Sequence, residues 1–263
     1  MGSVSKRSVL GRLAPVLGSY VAYSLSSRAF PVLMGNASAT LSILVGIAAF
    51  LAPALGASLT GVPMVLWWLS MSDGLALVCS LLYAALAVKG GRRRWVPAAV
   101  VAALSLAYGF SGMELVSVSL MIAAASVLSP LDAALAMTTY ALLIAIPSSL
   151  TGPAGGAVNR GMVIVPSFGV LLPSAGGGLG PLRPPSFDAV KDASYLLTVF
   201  AESLVASDMV LALQIVTFGA AGYCAAKIRE TLGRSGKSAL VAGALPALLV
   251  AGVYVWSMET VYS

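Results

Sequence analysis

The sequence predicts an all-α fold, a polytopic transmembrane helical bundle of about seven spans (six to eight). Hydrophobic residues make up 59% of the 263 residues and charged residues 9%, whereas about a quarter of an ordinary soluble domain is charged. No Lys or Arg occurs between Arg28 and Lys89, and none occurs between Arg94 and Arg160. A bilayer core is spanned by about 20 apolar residues, so each gap holds two or more spans. Lipid is therefore the expected partner of most of the surface.

The basic residues are concentrated in three short clusters: the N-terminal tail, residues 89–94 and residues 227–237. The positive-inside rule places such clusters on the cytoplasmic side of a membrane. Anionic headgroups account for the net charge of +6, so no nucleic-acid partner is expected. We therefore expect a multi-pass protein of the cell membrane, with its N-terminus in the cytoplasm and its C-terminus outside.

The N-terminal tail, residues 1–34, precedes a transmembrane helical domain of residues 35–263. A modest apolar run at residues 13–25 follows the first basic residues of the tail. We expect this run to form an interfacial amphipathic helix, and the alternative is a short extra span.

The first two spans are expected over residues 37–59 and 62–88. Asn36 can cap the start of the first span, and a Gly-Val-Pro sequence can end it. The pair Trp67-Trp68 indicates a membrane interface. The second helix proper is therefore expected to begin near Asp73, at which a carboxylate can cap the helix.

The middle of the chain is expected to hold three helical pieces. The first covers residues 95–108 and is interrupted at Gly109, and the second covers residues 113–128. Ser129-Pro130 is a helix start signal, with serine as N-cap and proline at the first helical position. The third piece is expected to reach about Leu150.

Residues 151–192 differ from the rest because they are dense in Gly and Pro. Their one apolar segment, residues 162–172, is too short to span a bilayer as a helix. We therefore expect an external loop or a re-entrant segment, which needs protein or a wet cavity around it. One long span is expected over residues 193–226, and the last span over residues 240–256.

Five acidic residues lie in or beside apolar runs and are the candidates for a substrate or ion pathway: Glu202, Glu114, Asp208, Asp132 and Asp73. An ionisable group inside a membrane is costly and is a functional hypothesis by default. No Lys or Arg shares those runs, which would suit proton or cation coupling. The alternative is that Asp73, Asp132 and Asp208 are interfacial caps at helix N-termini.

Gly109-Phe110-Ser111-Gly112 resembles the G-x-S-G nucleophile motif of rhomboid intramembrane proteases. A basic loop and one span precede the motif, as the resemblance requires. The resemblance implies a catalytic histidine on a later span, but the chain contains none. It therefore implies a catalytically inactive relative, because a serine without a base is a weak nucleophile. The alternative is a small-residue helix break.

Histidine is absent, and the only cysteines are Cys79 and Cys224, in separate apolar runs. This composition excludes His-based zinc sites, His-ligated haem and Ser-His or Cys-His catalytic pairs. We therefore expect no catalytic residue, no metal site, no cofactor and no enzymatic activity.

The span number, the embedded acids and the Gly/Pro-rich segment predict a transporter or permease subunit. Residues 20–28, followed by Ala29-Phe30-Pro31, also resemble the entry to a permease subunit of ABC-2 type exporters. That resemblance implies a separate ATPase, or other membrane subunits, as partners. The alternative is a non-catalytic membrane scaffold or complex subunit, including a rhomboid-like protein that lacks the catalytic histidine.

Overall fold

A computed structural model of the chain describes residues 6–30, 36–89, 96–110, 113–150, 188–206, 209–233 and 236–262. All regular secondary structure in these residues is helical, which confirms the all-α class. The helices are α1 (Lys6–Ala29), α2 (Asn36–Leu51), α3 (Pro53–Leu59), α4 (Val62–Met71), α5 (Asp73–Lys89), α6 (Val96–Gly109), α7 (Glu114–Ala125), α8 (Pro130–Leu150), α9 (Ala189–Ala206), α10 (Val210–Leu232) and α11 (Gly236–Tyr262).

Several helices are apolar enough for a membrane. Four helical stretches of the described residues could cross a bilayer by length and composition: Pro53–Met71, Pro130–Pro147, Val210–Leu232 and Ala239–Ser257. Four shorter apolar helices accompany them: Ala37–Leu51, Asp73–Leu86, Val96–Gly109 and Leu115–Ala125. The chain is thus a helical bundle compatible with a membrane protein, and the count of about seven spans stays a prediction.

An aromatic cluster gathers the ends of three helices at one end of the bundle. Phe30 follows α1, Trp67 lies in α4 and Tyr108 lies near the end of α6. The ring centroids of Phe30 lie 5.2 Å from Trp67 and 5.9 Å from Tyr108. We call this end face A and the opposite end face B. Since α5 begins at Asp73, directly after α4, it starts at face A.

Successive helices run antiparallel between these two faces. Gly46 of α2 lies against Val16 and Tyr20 of α1, so α2 runs back from face A. Ser117 of α7 hydrogen-bonds to Ala103 of α6, so α7 begins at face A and α8 returns towards it.

α10 packs antiparallel along α8. Gly219 lies against Thr138, and Gly222 lies against Ala133. Arg229, near the end of α10, donates from Nη1 to Ser126 Oγ at 3.1 Å. Since Ser126 follows the last residue of α7, α10 ends at face B and begins at face A, and α11 then returns to face A.

Two of the expected helix starts are confirmed, and two of the expected spans are divided by a break. α5 begins at Asp73 and α8 begins at Pro130. The expected span over residues 37–59 is instead broken at Ala52, which is extended with φ −143° and ψ 98°. A residue before proline is driven out of the helical region, so Pro53 starts a new helix.

The long span expected over residues 193–226 is also wrong. The structure divides this stretch into α9 and α10, and Met209 between them has a left-handed φ of 65°. Leu, Val and Ala continue on both sides of the break, but the pair Ser207-Asp208 directly before Met209 is the local signal of a helix start that the cap alternative for Asp208 used.

α1 packs along α2 and α6, where Ala29 meets Gly109, so it runs from face B to face A. This course fits the alternative of a short extra span better than an interfacial helix. One other expectation remains a prediction. Of the Gly/Pro-rich segment, residues 151–187 lie outside the described residues, and with them the short apolar piece 162–172.

Glycines set the distance between α8 and α10. A Cβ atom at Gly222 would lie 2.5 Å from the carbonyl oxygen of Ala133, so Gly222→Ala must push the helices apart. We expect a loss of about 1–3 kcal/mol of stability, the usual cost of overpacking. Thermal unfolding in detergent measures this.

Gly243→Ala in α11 is the matched control, because nothing lies within 4 Å of its added Cβ. We expect it to be neutral or to stabilise by up to about 1 kcal/mol, as helix propensity predicts. Equal effects of the two substitutions would contradict the close contact between α8 and α10.

Candidate functional site

The candidate acids lie at helix starts and on α9 rather than within the long helices. Asp73 is the first residue of α5 and Glu114 the first residue of α7, both at face A. Asp132 is the third residue of α8, at face B. Asp208 lies outside the described residues.

Asp132 takes part in a capping arrangement. Ser129 Oγ donates to Asp132 Oδ2 at 2.6 Å and accepts from the Asp132 backbone N–H at 3.3 Å. The serine thus satisfies one of the free N–H groups of the first turn of α8, and the carboxylate holds the serine in place. This geometry favours the cap alternative for Asp132.

Glu202 lies on α9, with an exposed side chain. Ala193, Leu196 and Phe200 form the buried stripe of this helix, and Glu202 points away from it. The structure does not bring the candidates together: among the described residues, no group of three or more acidic or Cys side chains could hold a metal ion.

Polar side chains in the interior form hydrogen bonds between helices, and the first example is Tyr108. Its hydroxyl lies 2.7 Å from the carbonyl oxygen of Leu143 and 3.1 Å from that of Ile144. Pro147 lies four residues after Leu143 within α8. Since proline has no N–H, the Leu143 carbonyl loses its helical partner. Tyr108 supplies that partner from α6.

A second buried node joins α6, α7 and α8. Ser117 Oγ donates to the carbonyl of Ala103 and forms a short hydrogen bond with the hydroxyl of Tyr140. Tyr140 also packs its ring on Phe218 of α10, with centroids 6.0 Å apart. The sequence analysis identified neither of these two buried hydrogen-bonded groups, because it considered acidic residues and not the hydroxyl groups of Tyr and Ser. For Tyr108 the available sequence signal was Pro147, which leaves the carbonyl of Leu143 without its helical donor.

A small cleft lies between α10 and α11. Its lining is Gln214, Thr217, Phe218, Val250, Val253 and Tyr254. The cleft has room for about one water molecule. It is mostly apolar and offers no space for a larger solute.

The two faces carry opposite charge in the part of the chain that the structure describes. The acidic residues at face A are Asp73, Glu114, Asp188, Asp192 and Glu259, beside Arg28 and Lys191. The basic residues at face B are Lys6, Arg7, Arg12, Lys89, Lys227, Arg229 and Lys237, beside Asp132 and Glu230. The N-terminal cluster and the described parts of the two later basic clusters thus share one face, as the positive-inside rule requires of loops on one side.

Comparison with known proteins found no match for this chain, whether among family models, curated proteins or solved structures.

Tyr108→Phe removes the hydroxyl and leaves the Leu143 carbonyl without the partner it has in this structure. We expect a loss of about 1–2 kcal/mol of stability, because a buried acceptor without a partner is costly. Unfolding of the purified protein in detergent measures it.

Tyr20→Phe is the control, since Tyr20 is 42% exposed on α1. It should leave stability within about 0.5 kcal/mol of the wild type. A Tyr108→Phe protein as stable as this control would show that the hydrogen bond to α8 contributes nothing.

Proposed function

We propose that this chain is a multi-pass membrane protein that acts as a non-catalytic, membrane-embedded subunit of a larger assembly. The observation that carries the proposal is the position of the candidate acids: the described ones lie at helix starts or on an exposed helix face. A self-contained transporter needs polar groups around a path at mid-membrane depth.

The packing of the interior supports the same conclusion. Trp68, Met64, Leu104 and Met137 are fully buried. The one described cleft holds about one water molecule. A filled interior of this kind supports a rigid scaffold better than a conduit.

α11 offers room for another subunit. Only 17% of its apolar window is buried within the chain, against 44% to 56% for the other three long helices. Leu240, Leu248 and Trp256 are exposed along it. Lipid or the transmembrane helix of a partner would cover such a surface.

A transporter or permease subunit, including the membrane subunit of an ABC-type exporter with a separate ATPase, is the second candidate. Pro147 and Pro246 within α8 and α11 favour it, because proline lets a membrane helix bend. Gln214 and Thr217, 4% and 7% exposed, are polar groups at the cleft between α10 and α11. An outward movement of α11 would enlarge this cleft.

The charge of the two faces supports an orientation for either candidate. Most of the basic residues in the described part of the chain lie at face B, so we propose that this face lies on the cytoplasmic side with the N-terminus. The cell membrane is the expected location.

Cysteine labelling tests this orientation. In a Cys224→Ser background, Arg28→Cys places a thiol at face A and Lys227→Cys places one at face B. Both native side chains are exposed. A membrane-impermeant thiol reagent on intact cells should modify the first variant and reach the second only after lysis. The reverse pattern would contradict the orientation.

Reconstitution into proteoliposomes separates the two functional candidates. We expect the purified chain alone to give no proton or cation flux under an imposed gradient, because the described bundle lacks a polar path. Size measurement in mild detergent should give a particle larger than the monomer when the chain is taken from its native membrane.

Flux by the chain alone would favour the transporter. Glu202→Gln, with Asp132→Asn as the matched control, would then show whether Glu202 belongs to the pathway. Unchanged flux in the Glu202→Gln protein would show that Glu202 does not belong to the pathway.

A further inference from the structure

We infer that α9 does not cross the membrane and lies along the surface of a lipid bilayer at face A, with one side against the bundle and lipid and the other in water. The inference rests on the membrane placement proposed above. It adds to the proposed spans, which contact the hydrocarbon core, a helix that contacts the headgroup region of the bilayer.

The start of α9 lies at face A. A Cβ atom at Gly74, the second residue of α5, would lie 2.5 Å from the carbonyl carbon of Asp192. Asp192 belongs to the first turn of α9. Because α5 begins at face A, this close backbone contact fixes the beginning of α9 there.

The end of α9 lies at face A as well. α9 ends at Ala206, and α10 begins at Val210. Arg229 of α10 contacts Ser126 at face B, and at 1.5 Å per residue Val210 lies about 28 Å from it. An 18-residue helix that starts and ends at the same face does not cross.

The side chains of α9 are divided as expected for a surface helix. The buried stripe Ala193, Leu196 and Phe200 repeats at three and four residues and packs on the bundle, chiefly on α5 and α8. At 100° per residue, Lys191 and Glu202 lie opposite this stripe, and both are exposed. The polar side of the helix therefore points away from the protein.

The edge of the buried stripe is apolar and uncovered. Val190 and Leu197 lie next to the stripe and are 69% and 47% exposed. An interfacial helix buries such side chains at the boundary of headgroups and acyl chains.

The local charge indicates which lipid fits. α9 carries Lys191, Asp192 and Glu202, and Asp73 lies beside its first turn. This excess of carboxylates repels anionic lipid headgroups. We therefore expect α9 to lie on a surface of zwitterionic lipid.

Spin-label accessibility in phosphatidylcholine vesicles tests the inference. Labels at Glu202→Cys and Thr198→Cys, each in a Cys224→Ser background, occupy the polar side of α9. A label at Leu197→Cys occupies its apolar edge. Wild-type Cys224, exposed on the candidate span α10, carries the reference label, whereas Cys79 is buried.

The labels at 198 and 202 should collide at least several-fold more often with a water-soluble nickel complex than the label at Cys224. The label at 197 should collide with oxygen more often than the labels at 198 and 202 do. Its depth in the bilayer should be shallower than that of the label at Cys224. If both polar-side labels are as protected from nickel as Cys224, α9 crosses the membrane and the inference is wrong. If the label at Cys224 is itself open to nickel, the membrane placement fails, and the inference fails with it.

Discussion

Hydrocarbon offers no hydrogen-bond partner to a peptide group, and the architecture of this chain follows from that constraint. Every described pass of the bundle is a helix, which satisfies its own backbone. Where Pro147 removes one donor from α8, the hydroxyl of Tyr108 takes its place on the carbonyl of Leu143. The hydroxyl groups of Tyr108 and Ser117 in the core likewise donate to backbone carbonyls of neighbouring helices.

Close packing between the helices is the second feature that determines the architecture. Small residues let the backbones of two helices approach closely, as Gly56 does against Ala49 and Gly222 against Ala133. In lipid, such close approach favours helix association through van der Waals contact. Large side chains such as Trp68 and Tyr140 fill the remaining space. Small and large side chains together fill the described interior, and this packing supports the structural role proposed above.

The sequence predicts the helical class and several helix starts, because capping chemistry at Asp73 and Ser129-Pro130 is local. The expected spans run through the breaks at Ala52 and Met209 because apolar residues continue on both sides of each, although Pro53 and the pair Ser207-Asp208 are local signals for a break. The candidate acids were found, but their depth was not. A carboxylate beside an apolar run has the same local sequence whether it caps a helix at the surface or lines a path inside.

The hydrogen bond from Tyr108 to α8 has an evolutionary consequence. The bond from this hydroxyl to Leu143 replaces a missing helical donor only while residue 147 is a proline, since any other residue there would return an N–H to the Leu143 carbonyl. The two positions lie on different helices. They should nevertheless co-vary among homologous chains, with phenylalanine tolerated at 108 wherever 147 has ceased to be proline.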